Sequence, residues 1–184
     1  MQFYNLSYDT FVTDQDWMKA NPDKCERMES GYTFVKPDVH FGLVPLLEQE
    51  LGKQRKEAKK KKAASPSGSV EEAVYDSLQN AVKISMNSLY GLLGAPTAPV
   101  PCVEIAASIT AMGRWNLVTA KNYVESRYQE FTGEPVNAKV IYGDTDSIFI
   151  RMPGVTKETA NKYGFMLEKN ITRDLYNRPN ALTM

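Results

Sequence analysis

The sequence predicts an α+β fold in which helices predominate and the strands are few and antiparallel. One observation is a pair of short β-branched and aromatic runs, Lys139–Tyr142 and Ile148–Ile150, which lie on either side of a glycine and two aspartates. Such residues favour strands, so the pair predicts a β-hairpin. The other observation is that helical patterns flank this hairpin without the alternation of strand, helix and strand that indicates a parallel sheet.

The composition of the chain limits the classes of protein to which it can belong. The 184 residues are enough for one ordinary domain or for pieces of two, and the formal net charge is zero, so any affinity for nucleic acid must be local. The sequence contains neither an apolar run long enough to span a membrane nor a secretory leader, so we expect an intracellular protein without a membrane partner. Cys25 and Cys102 are interpreted as reduced thiols, and His40, the one histidine, as structural.

The first part of the chain predicts little regular structure. Residues 1–13 are rich in Phe, Tyr and Leu and show no helix cap, so the chain is predicted to begin inside a packed element, as a fragment would. After a polar stretch with a turn at Asn21–Asp23, the run Gly31–Val35 predicts a short strand that Pro37 closes.

Two long helices are predicted next. The apolar residues of the first recur at helical spacing and are Leu43, Leu46, Leu47 and Leu51. This helix runs into the basic block Lys53–Lys62, and the small residues 63–69 predict a loop.

The second helix is predicted to begin near Ser69, an N-cap with Glu72 three residues later. Its predicted apolar stripe is Val74, Leu78, Val82, Met86 and Leu89. A separate stripe holds Lys83, Asn87 and Tyr90, so core packing alone does not explain these three side chains. Two helices joined by a short loop predict an antiparallel hairpin that projects from the protein.

The remaining elements follow in order. Residues 91–101 contain Gly94 and three prolines and are predicted to be irregular. A third helix is predicted from Cys102 to Tyr128, with a stop at Thr132–Pro135, and a last helix from Thr156 to Leu175.

The predicted β-hairpin carries the candidate metal ligands. Its turn is predicted at Gly143–Thr145, which sets Asp144 and Asp146 close together at the tip. Two neighbouring carboxylates repel unless a cation lies between them, and a hard divalent ion prefers oxygen ligands. The alternative is a solvated turn in which the aspartates form local hydrogen bonds.

The segment Tyr142–Ser147 resembles the third polymerase motif of the family B DNA polymerases. Lys83–Gly91 resembles the motif that precedes it, and Gly42–Leu47 with Gln54–Lys59 resembles the first fingers helix of that family. The stretch Pro101–Arg114 resembles herpesvirus enzymes in particular. The resemblance covers most of residues 32–151, and the motifs occur in the expected order.

This resemblance implies a polymerase palm portion with a catalytic β-hairpin, from which an antiparallel two-helix fingers subdomain projects. It implies a palm portion at residues 1–37, entered just after the first polymerase motif, the fingers hairpin at 38–95, and a palm portion with the catalytic hairpin at 96–184. The expected function is that of a DNA-directed DNA polymerase in viral DNA replication, which transfers a deoxynucleoside monophosphate from dNTP to a primer 3′ end by a two-metal mechanism.

The resemblance also implies site residues, cofactors and partners. Asp144 and Asp146 would be catalytic and would bind two Mg²⁺ ions. The implied nucleotide-binding residues are Arg55, Lys59, Lys83, Asn87 and Tyr90, and the implied DNA-binding residues are Gly91, Tyr142 and Ser147. Primer–template DNA, dNTP and a processivity factor are the expected partners, and the host nucleus or a viral replication site is the expected location.

The chain departs from the family pattern because the first motif, which holds another metal-binding aspartate, is missing. The isolated 184 residues are therefore expected to be an inactive internal fragment. A competing interpretation is a non-catalytic nucleic-acid-binding module in which the Asp pair holds a structural divalent cation.

Overall fold

The computed structural model describes residues 1–133, 138–144 and 147–175. These belong to two compact units, Met1–Ile109 and Thr110–Met184. The strands are β1 (Phe11–Val12), β2 (Cys25–Arg27), β3 (Thr33–Val35), β4 (Lys139–Asp144) and β5 (Ser147–Arg151), and the α-helices are α1 (Gln15–Ala20), α2 (Leu43–Ala64), α3 (Val70–Gly94), α4 (Val103–Thr132) and α5 (Lys157–Leu175). Mixed helices and small antiparallel sheets confirm the α+β class. Among the described residues, none of the helices is long and apolar enough to cross a bilayer.

The first unit contains a three-stranded antiparallel sheet in which β3 lies between β1 and β2. Phe34 at the centre of β3 is fully buried, and its ring lies 5.4 Å from that of Phe11. The strand predicted at Gly31–Val35 is confirmed as β3. The strands β1 and β2 were not predicted, because two or three residues are too few to show an alternating pattern.

The two long helices of the first unit, α2 and α3, pack against each other as an antiparallel hairpin, as predicted. The predicted N-cap of α3 is also present, since the Ser69 Oγ accepts a hydrogen bond of 3.1 Å from the Glu72 N–H. The Glu72 carboxylate in turn accepts one of 2.7 Å from the Gly68 N–H. α3 continues to Gly94, so the irregular segment begins later than residue 91, where the sequence predicted it.

The predicted apolar stripes of this hairpin were wrong in part. Val74 and Leu78 are 55% and 48% exposed, and the leucines of the first turns of α2 are exposed as well, whereas Gln79 is buried. The side chains that the two helices cover recur three and four residues apart, as in an antiparallel coiled coil. We call this set the hairpin seam: Leu51, Arg55, Ala58 and Lys62 on α2, and Tyr75, Gln79, Val82, Met86, Leu89 and Leu93 on α3.

The second unit buries its core between α4 and α5. Val124 and Tyr128 of α4 and Leu167 and Ile171 of α5 are almost fully buried. α4 ends at Thr132, next to Gly133 at a φ of +70°, which confirms the helix stop predicted there. The last helix is confirmed within one residue of its predicted start.

Candidate functional site

The candidate metal ligand Asp144 lies on the β4–β5 hairpin of the second unit. Asp144 pairs with Ser147 across the two strands, and the Ser147 hydroxyl donates a hydrogen bond of 3.2 Å to the Asp144 carbonyl. The turn predicted at Gly143–Thr145 was therefore wrong in part, because Gly143 and Asp144 are strand residues paired with Ile148 and Ser147, and Thr145 lies outside the described residues. Which residues belong to the strands depends on the register of the hairpin, and strands of five or six residues are too short for the sequence pattern to reveal that register.

Only one of the two predicted carboxylates can be placed. Asp144 is exposed at the end of β4, whereas Asp146 lies outside the described residues, as does Thr145. In the described parts of the chain no group of three or more His, Cys, Asp or Glu side chains could hold a metal ion. An exposed carboxylate at a strand end fits Mg²⁺ chemically, because Mg²⁺ is usually bound through one or two carboxylates plus water and phosphate oxygens.

Tyr142, a predicted DNA-binding residue, lies on the same hairpin. Its ring packs edge-on against Phe149 at 5.6 Å between centroids, and both side chains are more than half exposed. Ser147, the other predicted DNA-binding residue of this hairpin, is exposed too. The hairpin therefore presents an accessible aromatic pair beside the carboxylate of Asp144.

The predicted triphosphate-binding residues of α2 have unequal environments. Lys59 is exposed, whereas Arg55 lies in the hairpin seam and is half-buried. The Arg55 Nε is buried and has no hydrogen-bond partner in the part of the chain that the structure describes. A buried N–H without a partner is unfavourable, so the seam does not by itself explain an arginine at this position.

The predicted residues of α3 form one accessible stripe. Lys83, Asn87 and Tyr90 are all exposed, and a Cβ added at Gly91 would meet nothing within 4 Å. The space beside Gly91 is therefore open, as its predicted role requires. In an antiparallel pair, right-handed helices place this stripe and Lys59 on the same flank of the hairpin.

An ion pair at the far end of the hairpin indicates the register of its helices. The Lys62 Nζ lies 2.7 Å from the Asp76 Oδ1, and the Gln79 amide donates a bond of 3.1 Å to the same oxygen. These bonds lower the pKa of the Asp76 carboxyl and raise that of Lys62. Arg55 and Lys83 each lie seven residues, or about two turns, from this pair, so the helical rise places them level with each other.

Sequence reasoning missed the polar segment that binds the start of α2. Asp9 accepts hydrogen bonds from the Leu43 N–H at 3.2 Å and lies 2.7 Å from the His40 Nε2. Burial alone would raise the pKa of Asp9, but hydrogen bonds from Ser7, His40 and the Leu43 N–H together lower it. The sequence carries no periodic signal for these contacts, because the partners are more than 30 residues apart.

Comparison with known proteins places these features in a family. The model of DNA polymerase family B matches residues 1–184. The DNA polymerase delta catalytic subunit of Oryza sativa subsp. japonica is 44% identical over 168 residues, which are 89% of this chain and 15% of the relative. That of Dictyostelium discoideum is 36% identical over 172 residues, or 94% of this chain and 16% of the relative.

A solved structure is similar as well. The family B DNA polymerase of the hyperthermophilic archaeon Pyrobaculum calidifontis has a TM-score of 0.65 and 27% identity, and the match covers 95% of this chain and 20% of that one. The chain thus spans about 15% of the length of the curated relatives named above.

The predicted herpesvirus-like origin finds no support, because these curated relatives are eukaryotic. The stretch Pro101–Arg114, which suggested that origin, contains the first turns of α4, where Ile105, Ala106 and Ser108 are buried. Packing of α4 therefore accounts for part of the small-residue pattern of this stretch.

Proposed function

Because the chain belongs to DNA polymerase family B, we propose that it forms part of the catalytic chain of a DNA-directed DNA polymerase. In this proposal residues 38–95 are the fingers hairpin, and residues 1–37 and 96–184 are portions of the palm. The observation that carries the proposal is the family match over the whole chain, within which the three motif blocks occur in order.

Arg55, Lys59 and Lys83 bind the triphosphate of the incoming nucleotide. The hairpin supports this role, because Lys59 and Lys83 are exposed on one flank and the helix register sets Arg55 level with Lys83. Hydrogen bonds between a cationic side chain and phosphate oxygens contribute about 1.5–3 kcal/mol each. Arg55 also gains a partner for its guanidinium group, which would explain an arginine in the seam.

Asn87 and Tyr90 border the incoming nucleotide and the nascent base pair. Both are exposed on the stripe that holds Lys83, one and two turns further along α3. The open space beside Gly91 allows DNA to approach the backbone, and an aromatic ring such as that of Tyr90 offers a surface on which a base or sugar packs. Tyr142 and Ser147 lie beside the primer end.

Asp144 and Asp146 would hold the two Mg²⁺ ions that membership of the family implies. When bound, the ions supply charge neutralisation for the attacking and the leaving oxygens of an in-line displacement. The primer 3′ hydroxyl loses its proton to water, and its oxygen forms a bond to the α-phosphorus of dNTP as the bond from that phosphorus to the bridging oxygen of the leaving pyrophosphate breaks. The lysine and arginine side chains hold the triphosphate in line for this displacement.

The partners of the complete protein are primer–template DNA, dNTP and a processivity factor. We place its activity in DNA replication in the nucleus of a eukaryotic cell, in line with the relatives' source organisms. The isolated 184 residues are inactive in this proposal, because a further metal-binding aspartate lies in a motif that precedes them in the family.

Primer extension by the complete protein tests the proposal. Asp146→Ala should abolish extension and leave primer–template affinity unchanged, whereas Lys83→Ala should lower kcat/KM for dNTP about 10- to 150-fold, as expected from the loss of one charge-assisted bond. Lys53→Ala is the matched control, because Lys53 is an exposed lysine of the same hairpin paired with Glu50 at 3.6 Å.

Extension by the Asp146→Ala protein at the wild-type rate would remove the two-metal role. If instead the Lys83→Ala and Lys53→Ala proteins use dNTP as well as the wild type does, and the DNA affinity of both depends less on salt than that of the wild type, the chain is a nucleic-acid-binding module.

A further inference from the structure

The start of α2 is capped by side chains that lie more than 30 residues earlier in the chain. Gly42, the N-cap residue, has no side chain to accept the first helical N–H groups. The Gly42 N–H instead donates to the Asn5 Oδ1 at 2.8 Å, and the Leu43 N–H donates to the Asp9 carboxylate at 3.2 Å. The Val44 N–H donates to the Ser7 Oγ at 3.1 Å. Three consecutive amides are thus satisfied by one remote segment, which we call the α2 clasp (Asn5, Ser7 and Asp9).

Two members of the clasp are buried and anchored, whereas the third, Asp9, is exposed. Asn5 and Ser7 are fully buried, and the Asn5 amide donates to the carbonyls of Val35 at 2.8 Å and His40 at 2.7 Å. Asn5 adopts a φ of +53°, a conformation that asparagine tolerates better than most residues. One side chain therefore joins the end of β3, the segment before α2 and the first amide of the cap.

The space beside Gly42 is filled by Ser7 of the clasp and by Thr10. A Cβ added at Gly42 would lie 2.6 Å from the Ser7 Cβ and 3.0 Å from the Thr10 Cγ2. The Asp9 carboxylate also lies at the positive end of the helix dipole, where a negative charge is favourable. The clasp therefore fixes both the position and the direction in which α2 leaves the first unit's sheet.

Small changes at the clasp are amplified along α2. Arg55 and Lys59 lie 12 and 16 residues beyond Leu43, or about 18 and 24 Å at 1.5 Å per residue. A tilt of about 5° at the start of the helix thus moves Lys59 by about 2 Å. Misplacement of a binding group by about 1 Å can reduce catalysis about 100-fold.

We propose that Asp9, through the α2 clasp, is a positioning residue for nucleotide use: it sets the direction of α2 and hence the places of Arg55 and Lys59. It touches neither substrate nor metal and acts through the helix alone. This inference rests on the proposed triphosphate role of α2.

The test uses steady-state primer extension by the complete protein, with Asp9→Ala compared with Asp14→Ala. Asp14 caps α1 through bonds of 2.9 and 3.0 Å from the Asp16 and Trp17 N–H groups, and α1 carries no candidate site residue. The two variants lose similar caps. Asp9→Ala should raise KM for dNTP at least tenfold with primer–template affinity unchanged, whereas Asp14→Ala should leave KM unchanged.

A conservative variant separates positioning from folding. Asp9→Asn keeps an oxygen for the Leu43 N–H but loses the negative charge at the start of α2, so it should remain folded and raise KM by a smaller factor than Asp9→Ala does. If Asp9→Ala does not fold, the Asn variant decides, and a wild-type KM for it overturns the proposal. An equal rise in KM for Asp9→Ala and Asp14→Ala also overturns it.

Lys59→Ala serves as the reference for the proposed function. If Lys59→Ala raises KM and Asp9→Ala does not, the clasp has only a structural role and the proposed function stands. If Lys59→Ala leaves KM unchanged, the triphosphate role itself is wrong.

Discussion

Replacing Arg55 by methionine should stabilise the α2–α3 hairpin and at the same time weaken the use of nucleotide. Arg55 occupies a seam position one turn before the buried Ala58. Its Nε is buried and lacks a hydrogen-bond partner among the described residues, so the hairpin carries an unfavourable group at its centre. Methionine has a similar length, packs well in irregular spaces and has no N–H group.

The size of the effect follows from the group that is removed. A buried donor without a partner costs about 1–3 kcal/mol, and burying an arginine side chain costs about 1.5–2 kcal/mol of rotamer freedom, which methionine loses to a similar extent. The donor term is therefore the one that differs. Because Arg55 is only half-buried, we expect the free energy of opening of α2 to rise by the lower part of this range, about 1–2 kcal/mol.

Amide hydrogen exchange is the suitable assay, because it reports the opening of α2 separately from that of the second unit. The amides of residues 51–62 should exchange about 5- to 30-fold more slowly in the Arg55→Met protein, the factor that corresponds to this free energy. Lys59→Met is the matched control. Lys59 is exposed one turn away, so its replacement should change the opening free energy by less than about 0.5 kcal/mol.

Both variants should raise KM for dNTP in the complete protein, since each removes one proposed triphosphate ligand. Faster exchange in Arg55→Met than in the wild type would refute the reasoning, because the arginine would then contribute a favourable seam contact. Slower exchange with an unchanged KM would show that Arg55 destabilises the hairpin and does not bind the nucleotide.

Three further predictions concern stability. Ser69→Ala removes the cap of α3 and should lower the opening free energy of its first turn by about 1 kcal/mol, measured by exchange of the Ala73 and Val74 amides, the first that are bonded within the helix. Asp76→Ala breaks the exposed pair with Lys62 and removes the acceptor of the Gln79 amide; it should lower the Tm, and the difference should become smaller near 1 M salt, where only the loss of the Gln79 hydrogen bond remains. Hydrogen bonds, first from Arg173, lower the pKa of Asp174 from 3.8 to about 2, so this carboxylate stabilises the fold above pH 4 and its contribution is lost as the pH falls towards 2. The Tm of Asp174→Asn should therefore depend less on pH between 4 and 2 than that of the wild type, while a parallel dependence would contradict this role.

The sequence predicted the helices well because their signals are local. Ser69 and Glu72 identify the start of α3, and Gly133 the end of α4, through residue types that suit those backbone positions. The seam was predicted less well. Val74 and Leu78 form the more apolar stripe of α3, yet the structure leaves them exposed and buries Gln79. The stripe that faces α2 depends on the register of two helices, and that register is a tertiary property.

The candidate site also has features that the sequence predicted and features that it did not. The separation of Lys83, Asn87 and Tyr90 from the apolar face was visible in the spacing, and the structure leaves all three accessible. The unequal burial of Arg55 and Lys59 was not visible, because adjacent turns of one helix look alike in sequence. The contacts of Asp9 with His40 and Leu43 cross more than 30 residues, and no periodic pattern records such contacts.

The clasp and the seam control different properties of the hairpin. The clasp holds the first turn of α2 through polar groups that fit one arrangement, since even a methyl group at Gly42 would collide with Ser7. The seam holds the helices together over the rest of their length, and the pair of Lys62 with Asp76 lies at its far end. The direction of α2 is thus set at its first turn, whereas its packing against α3 is determined along the rest of its length. A polar seam that contains Arg55 lowers cohesion without altering orientation, which explains how α2 can carry an unfavourable arginine and still place it in one position.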